Sequence, residues 1–270
     1  MYSLKTGILT VILMLAGCGS TPKGGAITLP MEVIAGAPVI ELTIDRRGPY
    51  RFVLDTGASM GVILPVLADA LGLAIRPDPE QTVELKNVAA GPLALGNMEV
   101  GIIDFPLPAR VRGIVSVSKF ADYLVELNYT GEQLVLTKGE LNAADEKHVV
   151  PYTLTPLITL DITAAGQTVP VHLDTGSPAF CSIPDAVASG LIFRDGLQEV
   201  GMARIPGKEV PVRRGRMDGE LTIAGYSFTD PEIDVATLMG PYGNIGYAFL
   251  KDKNITLDQK NRLLRIGASD

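Results

Sequence analysis

The tripeptide Asp-Thr-Gly occurs twice in this chain, at Asp55-Thr56-Gly57 and at Asp174-Thr175-Gly176, and its surroundings repeat with it. Arg51-Phe52-Val53-Leu54 leads into the first copy and Pro170-Val171-His172-Leu173 into the second, both strand-like and both ending in Leu. Ten residues after each Asp stands a proline, in Val62-Ile63-Leu64-Pro65 and Cys181-Ser182-Ile183-Pro184, and each opens a short helical pattern that ends near Gly72 or Gly190. Proline suits a first helical turn and glycine a helix end. Downstream, Gly113 to Asn128 lies without gaps over Gly243 to Asp258, and each block is followed by a tight turn and a last strand, 132–136 or 262–266. A single Asp-Thr-Gly is no more than a capped turn; two in matched contexts mark an internal duplication, so the chain is expected to fold as two similar halves.

The offset between copies is 119 residues at the Asp pair and 130 at Gly113 and Gly243, so the second half carries eleven extra residues between those blocks. They fall where Met202 to Val210 reads as a hairpin with Pro206-Gly207 at its tip. Short apolar runs at 39–44, 50–54, 124–129, 157–162, 169–173 and 255–257 sit between turn signals, which predicts an all-β chain of two similar β-barrel-like lobes with few short helices. The lobes are placed at 29–137 and 149–270, joined by a polar, alanine-rich linker at 138–148.

The N-terminus carries one cation at Lys5, an apolar stretch from Gly7 to Leu15, then Leu15-Ala16-Gly17-Cys18. That stretch is too short for a stable membrane span. The pattern resembles a bacterial lipoprotein signal over residues 1–17, with Cys18 as the lipidated residue; the alternative is an ordinary signal peptide with an accidental cysteine. Residues 18–28 read as a tether. Cys181 is then the one remaining cysteine, expected as a small buried thiol. Loss of Lys5 leaves 22 basic against 30 acidic residues. That balance, with no basic footprint beyond Arg213-Arg214-Gly215-Arg216, argues against a nucleic-acid partner.

Two Asp residues at equivalent positions of a duplicated fold are expected to meet at its pseudo-two-fold axis and share a proton, because like charges that close do not both ionise easily. Such a pair serves at once as general base toward water and general acid toward a carbonyl. Glycine after Asp-Thr lets backbone approach the carboxylates, and Thr56 and Thr175 are placed to lock the two loops across the axis. No metal-ligand spacing or phosphate loop is present, and no cofactor is expected. His148 falls in the linker, and His172 reads as a partly buried strand histidine rather than a catalytic one.

The chain resembles, over most of residues 35 to 267, the pepsin and retropepsin superfamily of aspartic peptidases in a bacterial single-chain form. The resemblance implies catalytic Asp55 and Asp174, supported by Thr56, Gly57, Thr175, Gly176 and Ser177. The family's apolar-apolar-Gly element behind each catalytic loop is partly met by Asn244-Ile245-Gly246, whereas the first half has Val115-Ser116 there. Ser116 is either tolerated as a small residue or distorts the loop that holds Asp55. Position +3 after the Asp is Ala58 in one copy and Ser177 in the other, and a Ser177 hydroxyl bonded to Asp174 would favour its charged form, leaving Asp55 protonated. A flap over the cleft is assigned to Met202 to Val212, with only the stretch Val83 to Leu95 available in the first half.

Three functions are expected from these residues: a lipid-anchored aspartic endopeptidase cutting extended peptide or protein substrates, a processing enzyme with one substrate, and an inactive peptide-binding lipoprotein. Both halves lie in one chain, so a monomer is expected. By the sorting rule of the lipoproteins that the signal resembles, Gly19 after the lipidated cysteine implies an outer-membrane anchor facing the periplasm in a host with two membranes.

Overall fold

The structure, a computed structural model, describes residues 25–76, 81–142, 149–205 and 208–268. The leader, Cys18, His148 and the Pro206-Gly207 tip lie outside the described residues.

The strand registers reproduce the duplication. Arg47–Asp55 pairs in parallel with Val111–Ser116, setting Leu54 opposite Val115. Gln167–Leu173 pairs in parallel with Gly243–Ile245, setting Leu173 opposite Ile245, and these are the residues that the offsets of 119 and 130 make equivalent. Phe52, Val53, Leu54 and Asp55 are all buried in succession, as befits a parallel-paired strand covered on both faces.

Each half has its own sheet, seven strands in the first and a longer, ten-strand sheet in the second. A third sheet of six strands joins them, in the order Ile27–Pro30, Gln133–Thr137, Leu124–Asn128, Lys253–Asp258, Leu263–Ala268, Val149–Pro151. Its central rungs pair Leu124 with Asp258, Leu127 with Ile255 and Glu126 with Thr256. Glu126 and Thr256 are duplicates of one another, so the pseudo-two-fold axis passes between them. Leu127, Leu134, Leu257 and Leu264 on this sheet and Phe52, Phe120 and Phe249 above it belong to one buried cluster spanning both halves. Each such side chain contributes about 1.5–3 kcal/mol by leaving water.

The helix expected after Pro65 runs over Pro65–Leu71 and ends at Gly72, whose φ of 75° closes it. Its counterpart is a single turn, Asp185–Ala188, after Pro184. Cys181 is a free, buried thiol. The tether ends earlier than expected, because Ile27 and Thr28 already pair with Leu136 and Val135.

The two hairpins differ from one another and, in the first half, from expectation. Thr82–Ala90 and Leu93–Ile102 form a hairpin that is stitched into the body: Ala89 and Val88 pair with Thr43 and Ile44, and Leu85, Val88 and Ala90 are buried. Val83 to Leu95 is therefore part of the lobe wall and has no freedom to act as a flap. In the second half, Arg213–Arg216 pairs with Glu232–Val235 much as the start of the first hairpin pairs with its own return strand. The ribbon Gln198–Ile205 and Lys208–Arg216 then continues past that support, with Met202 opposite Pro211 and Ile205 opposite Lys208. This overhang holds the extra residues and is exposed along one face, Met202 at 51%.

Candidate active site

The strands Arg47–Asp55 and Gln167–Leu173 deliver their Asp-Thr-Gly turns to one point on the axis. There the threonines form a reciprocal lock. Thr56 Oγ1 donates to the Leu173 carbonyl at 2.6 Å and accepts from the Thr175 N–H at 3.0 Å. Thr175 Oγ1 donates to the Leu54 carbonyl at 2.7 Å and accepts from the Thr56 N–H at 3.1 Å. Four otherwise orphaned buried groups are satisfied by two side chains that reach across the duplication.

The lock places Asp55 and Asp174 side chain to side chain, both carboxyls closing on Gly57. The Gly57 N–H donates to Asp55 Oδ1 at 2.6 Å and the Gly176 N–H to Asp174 Oδ1 at 3.0 Å. A Cβ at Gly57 would lie 2.8 Å from Asp174 Cγ, and one at Gly176 would lie 2.9 Å from Asp55 Oδ2, so each glycine makes room for the acid of the other half.

The acids are not equivalent. Burial, then the Asp174 charge, pushes the Asp55 carboxyl far above the ordinary range, partly offset by the Gly57 N–H. Burial also raises Asp174, but Asn244, the Gly176 N–H, Asp55 and the Ser177 N–H all favour its charged form. These influences favour the protonated form of Asp55 over that of Asp174. Asn244 Nδ2 reaches Asp174 Oδ2 at 3.2 Å. Its duplicate in the first half is Ile114, which has no hydrogen to give. The hydroxyl expected to set this asymmetry points elsewhere: Ser177 Oγ accepts from the Ala179 N–H at 3.3 Å, and Ser177 supports Asp174 through its backbone N–H.

Ser116 is accommodated. It lies opposite Asp55 in the parallel ladder, and its buried hydroxyl bonds Ser118 Oγ at 2.8 Å and caps the short helix Val117–Phe120. In the second half a Cβ at Gly246 would fall 2.4 Å from the Ser177 carbonyl, which instead accepts from the Tyr247 N–H. The two loops are braced differently.

Sequence reasoning passed over Asn244 as a donor and read Tyr129 only as the end of an apolar run. Tyr129 is buried, packs on Tyr247 with ring centres 5.7 Å apart, and has its phenol pushed up by burial and then by both acids. Its hydroxyl has no partner among the described residues. No pattern in the sequence marked it, because it lies one residue past a strand in a different sheet.

Arg213 and Arg214 are paired with Asp185 and Asp234. Among the described residues no cluster of metal-ligating side chains occurs, and no helix is long and apolar enough to cross a membrane.

No family model matches the chain, and neither does any curated protein. Among solved structures, the crystal structure of basic 7S globulin from soybean is similar over 92% of this chain and 96% of that one, with a TM-score of 0.51 and 10% identity. At that identity the likeness shows the fold alone: all-β, two lobes, few short helices.

Proposed function

We propose that the chain is an aspartic endopeptidase, and the observation that carries this reading is the pair of adjoining buried acids held by the reciprocal threonine lock. Asp174, ionised, takes a proton from a water molecule as that water attacks the peptide carbonyl. Asp55, protonated, donates to the carbonyl oxygen, giving a tetrahedral intermediate without a covalent enzyme adduct. The intermediate collapses as a proton passes to the leaving nitrogen. Buried acids kept close at a cost in stability are characteristic of catalytic rather than architectural sites.

The substrate is an extended peptide or protein segment, bound as a strand. The overhanging ribbon supplies the closing element: Ala203, Ile205, Val210 and Val212 share its less exposed face and offer apolar cover. Anchoring through Cys18, at an outer membrane and facing the periplasm, belongs to the same reading. The wall-bound first hairpin favours a second one, a peptide-binding envelope lipoprotein with little or no catalysis.

Cleavage of a diverse peptide library by the chain from residue 19, between pH ~4 and ~7, separates the two. The endopeptidase reading expects cleavage that Asp55→Asn and Asp174→Asn each abolish. Binding without cleavage by any form would establish the second reading in its place.

A further inference from the structure

The duplication supplies an internal control for a corner of the molecule away from the acids. In the first half, the Pro30 turn and the paired strands beside it enclose a cavity of about 150 Å³. Its floor pairs Glu41 with Arg51, and Arg51 bridges to Glu32 at 3.0 Å, filling the corner with an ion pair. In the second half the same register sets Asp161 opposite Pro170 and Thr153 opposite Thr159. The cation has become proline and its acid has become threonine. The cavity there is about 430 Å³, within the range of ligand sites.

Asp161 keeps the acidic position with no basic partner among the described residues. Thr153 and Thr155 add hydroxyls, and Tyr242 forms an aromatic wall. Directly behind Thr159 and Tyr242 lies His172, 3% exposed, with its ring centre 4.6 Å from that of Tyr242. Thr159 Oγ1 donates to the Leu157 carbonyl at 2.9 Å, so it accepts from His172 Nδ1 at 3.0 Å. With Nδ1 as that donor, Nε2 is left buried and without a partner among the described residues. Burial, the larger influence on this ring, holds it neutral. A carboxylate, hydroxyl oxygens and a ring face together ask for a donor-rich cation.

We infer that this corner is a specificity pocket for a basic side chain, arginine or lysine, of the bound peptide. This rests on the proposed peptidase reading. Pro170 precedes Asp174 by four residues on an extended strand, so the pocket lies roughly 13 Å along that strand from the acid. A peptide crossing the acids comes within reach of it.

The test uses Nα-acetyl-arginine amide and its uncharged citrulline analogue, titrated into the chain from residue 19 with the ring signals of Tyr242 and His172 followed by NMR. Arginine amide is expected to shift both signals saturably. The citrulline analogue, the Asp161→Asn variant, and a Thr153→Glu, Pro170→Arg variant carrying the first half's ion pair are each expected to bind at least about 10-fold more weakly. Citrulline binding as well as arginine, Asp161→Asn leaving affinity unchanged, or no shift at Tyr242 would overturn the inference. In the cleavage library, wild type is expected to prefer a basic residue at one subsite, and Asp161→Asn to lose that preference. A chain that binds arginine amide but cuts nothing would sink the peptidase reading and leave the pocket standing.

Discussion

The two halves of this molecule repeat each other's registers and bonds where they meet and diverge where they do not. At the axis, Thr56 and Thr175 make the same bonds to each other's half, and Gly57 and Gly176 yield space to each other's acid. One step out, Ile114 stands where the second half has Asn244, and Ser116 where it has Gly246. Further out, an ion-paired corner faces an open one, and both halves stitch a hairpin into the lobe wall, to which the second half adds a free ribbon. The difference shows which positions are constrained by reciprocity. A residue whose partner is its own duplicate's backbone has little room to change, whereas one facing its own lobe or solvent is free to specialise.

The symmetric part breaks most severely at the glycines. Gly57→Ala and Gly176→Ala push a Cβ into the opposite acid and are expected to lower kcat/KM by about 100-fold or more, with circular dichroism unchanged, because small misplacements at reacting groups are costly. Equal losses in the two variants would sharpen the symmetry, and full activity in either would break it.

Next come the threonines. Thr56→Ala and Thr175→Ala each leave a buried N–H and carbonyl unpaired, at about 2–3 kcal/mol in urea unfolding. Since both act in one network, the double variant is expected to cost less than the sum of the singles. Strict additivity would mean that the lock is not a unit.

The acids themselves oppose stability at neutral pH. Asp55 has its folded-state value raised above the unfolded one, so its favourable contribution is complete below about pH 3.9 and is lost as pH rises through the raised value. Asp55→Asn is therefore expected to melt a few degrees higher than wild type at pH 7, with the gain vanishing toward pH 3. A variant less stable than wild type at pH 7 contradicts the buried-dyad account.

The smallest effect probes the asymmetry. Asn244→Leu removes a donor from the charged form of Asp174 and is expected to raise the acidic limb of the pH profile by up to about one unit. Ser177→Ala is expected to leave that limb in place, because its hydroxyl serves the Ala179 N–H.

Much of this was legible in the sequence because duplication makes a chain its own reference. The Asp pair, the threonine lock, the Pro65–Gly72 helix and the extra ribbon all followed from aligning one half on the other. The rest depended on partners that the alignment does not name. Val83 to Leu95 looked like a flap because pairing to Thr43 and Ile44 is a long-range contact with no local signal. Asn244 looked like a departure from an apolar pattern, and only the parallel register beside His172 puts its amide on Asp174. Tyr129 and the open corner depend on packing between sheets, which neither spacing nor periodicity encodes.

The central claim, that the two halves build one shared-proton pair, is tested most directly by carboxyl carbon NMR of Asp-labelled protein across pH. The account predicts a coupled titration in wild type, with one carboxyl keeping its proton well above the ordinary range, and the disappearance of that high step in Asp55→Asn. Two carboxyls titrating independently near the ordinary value of about 4 would contradict it.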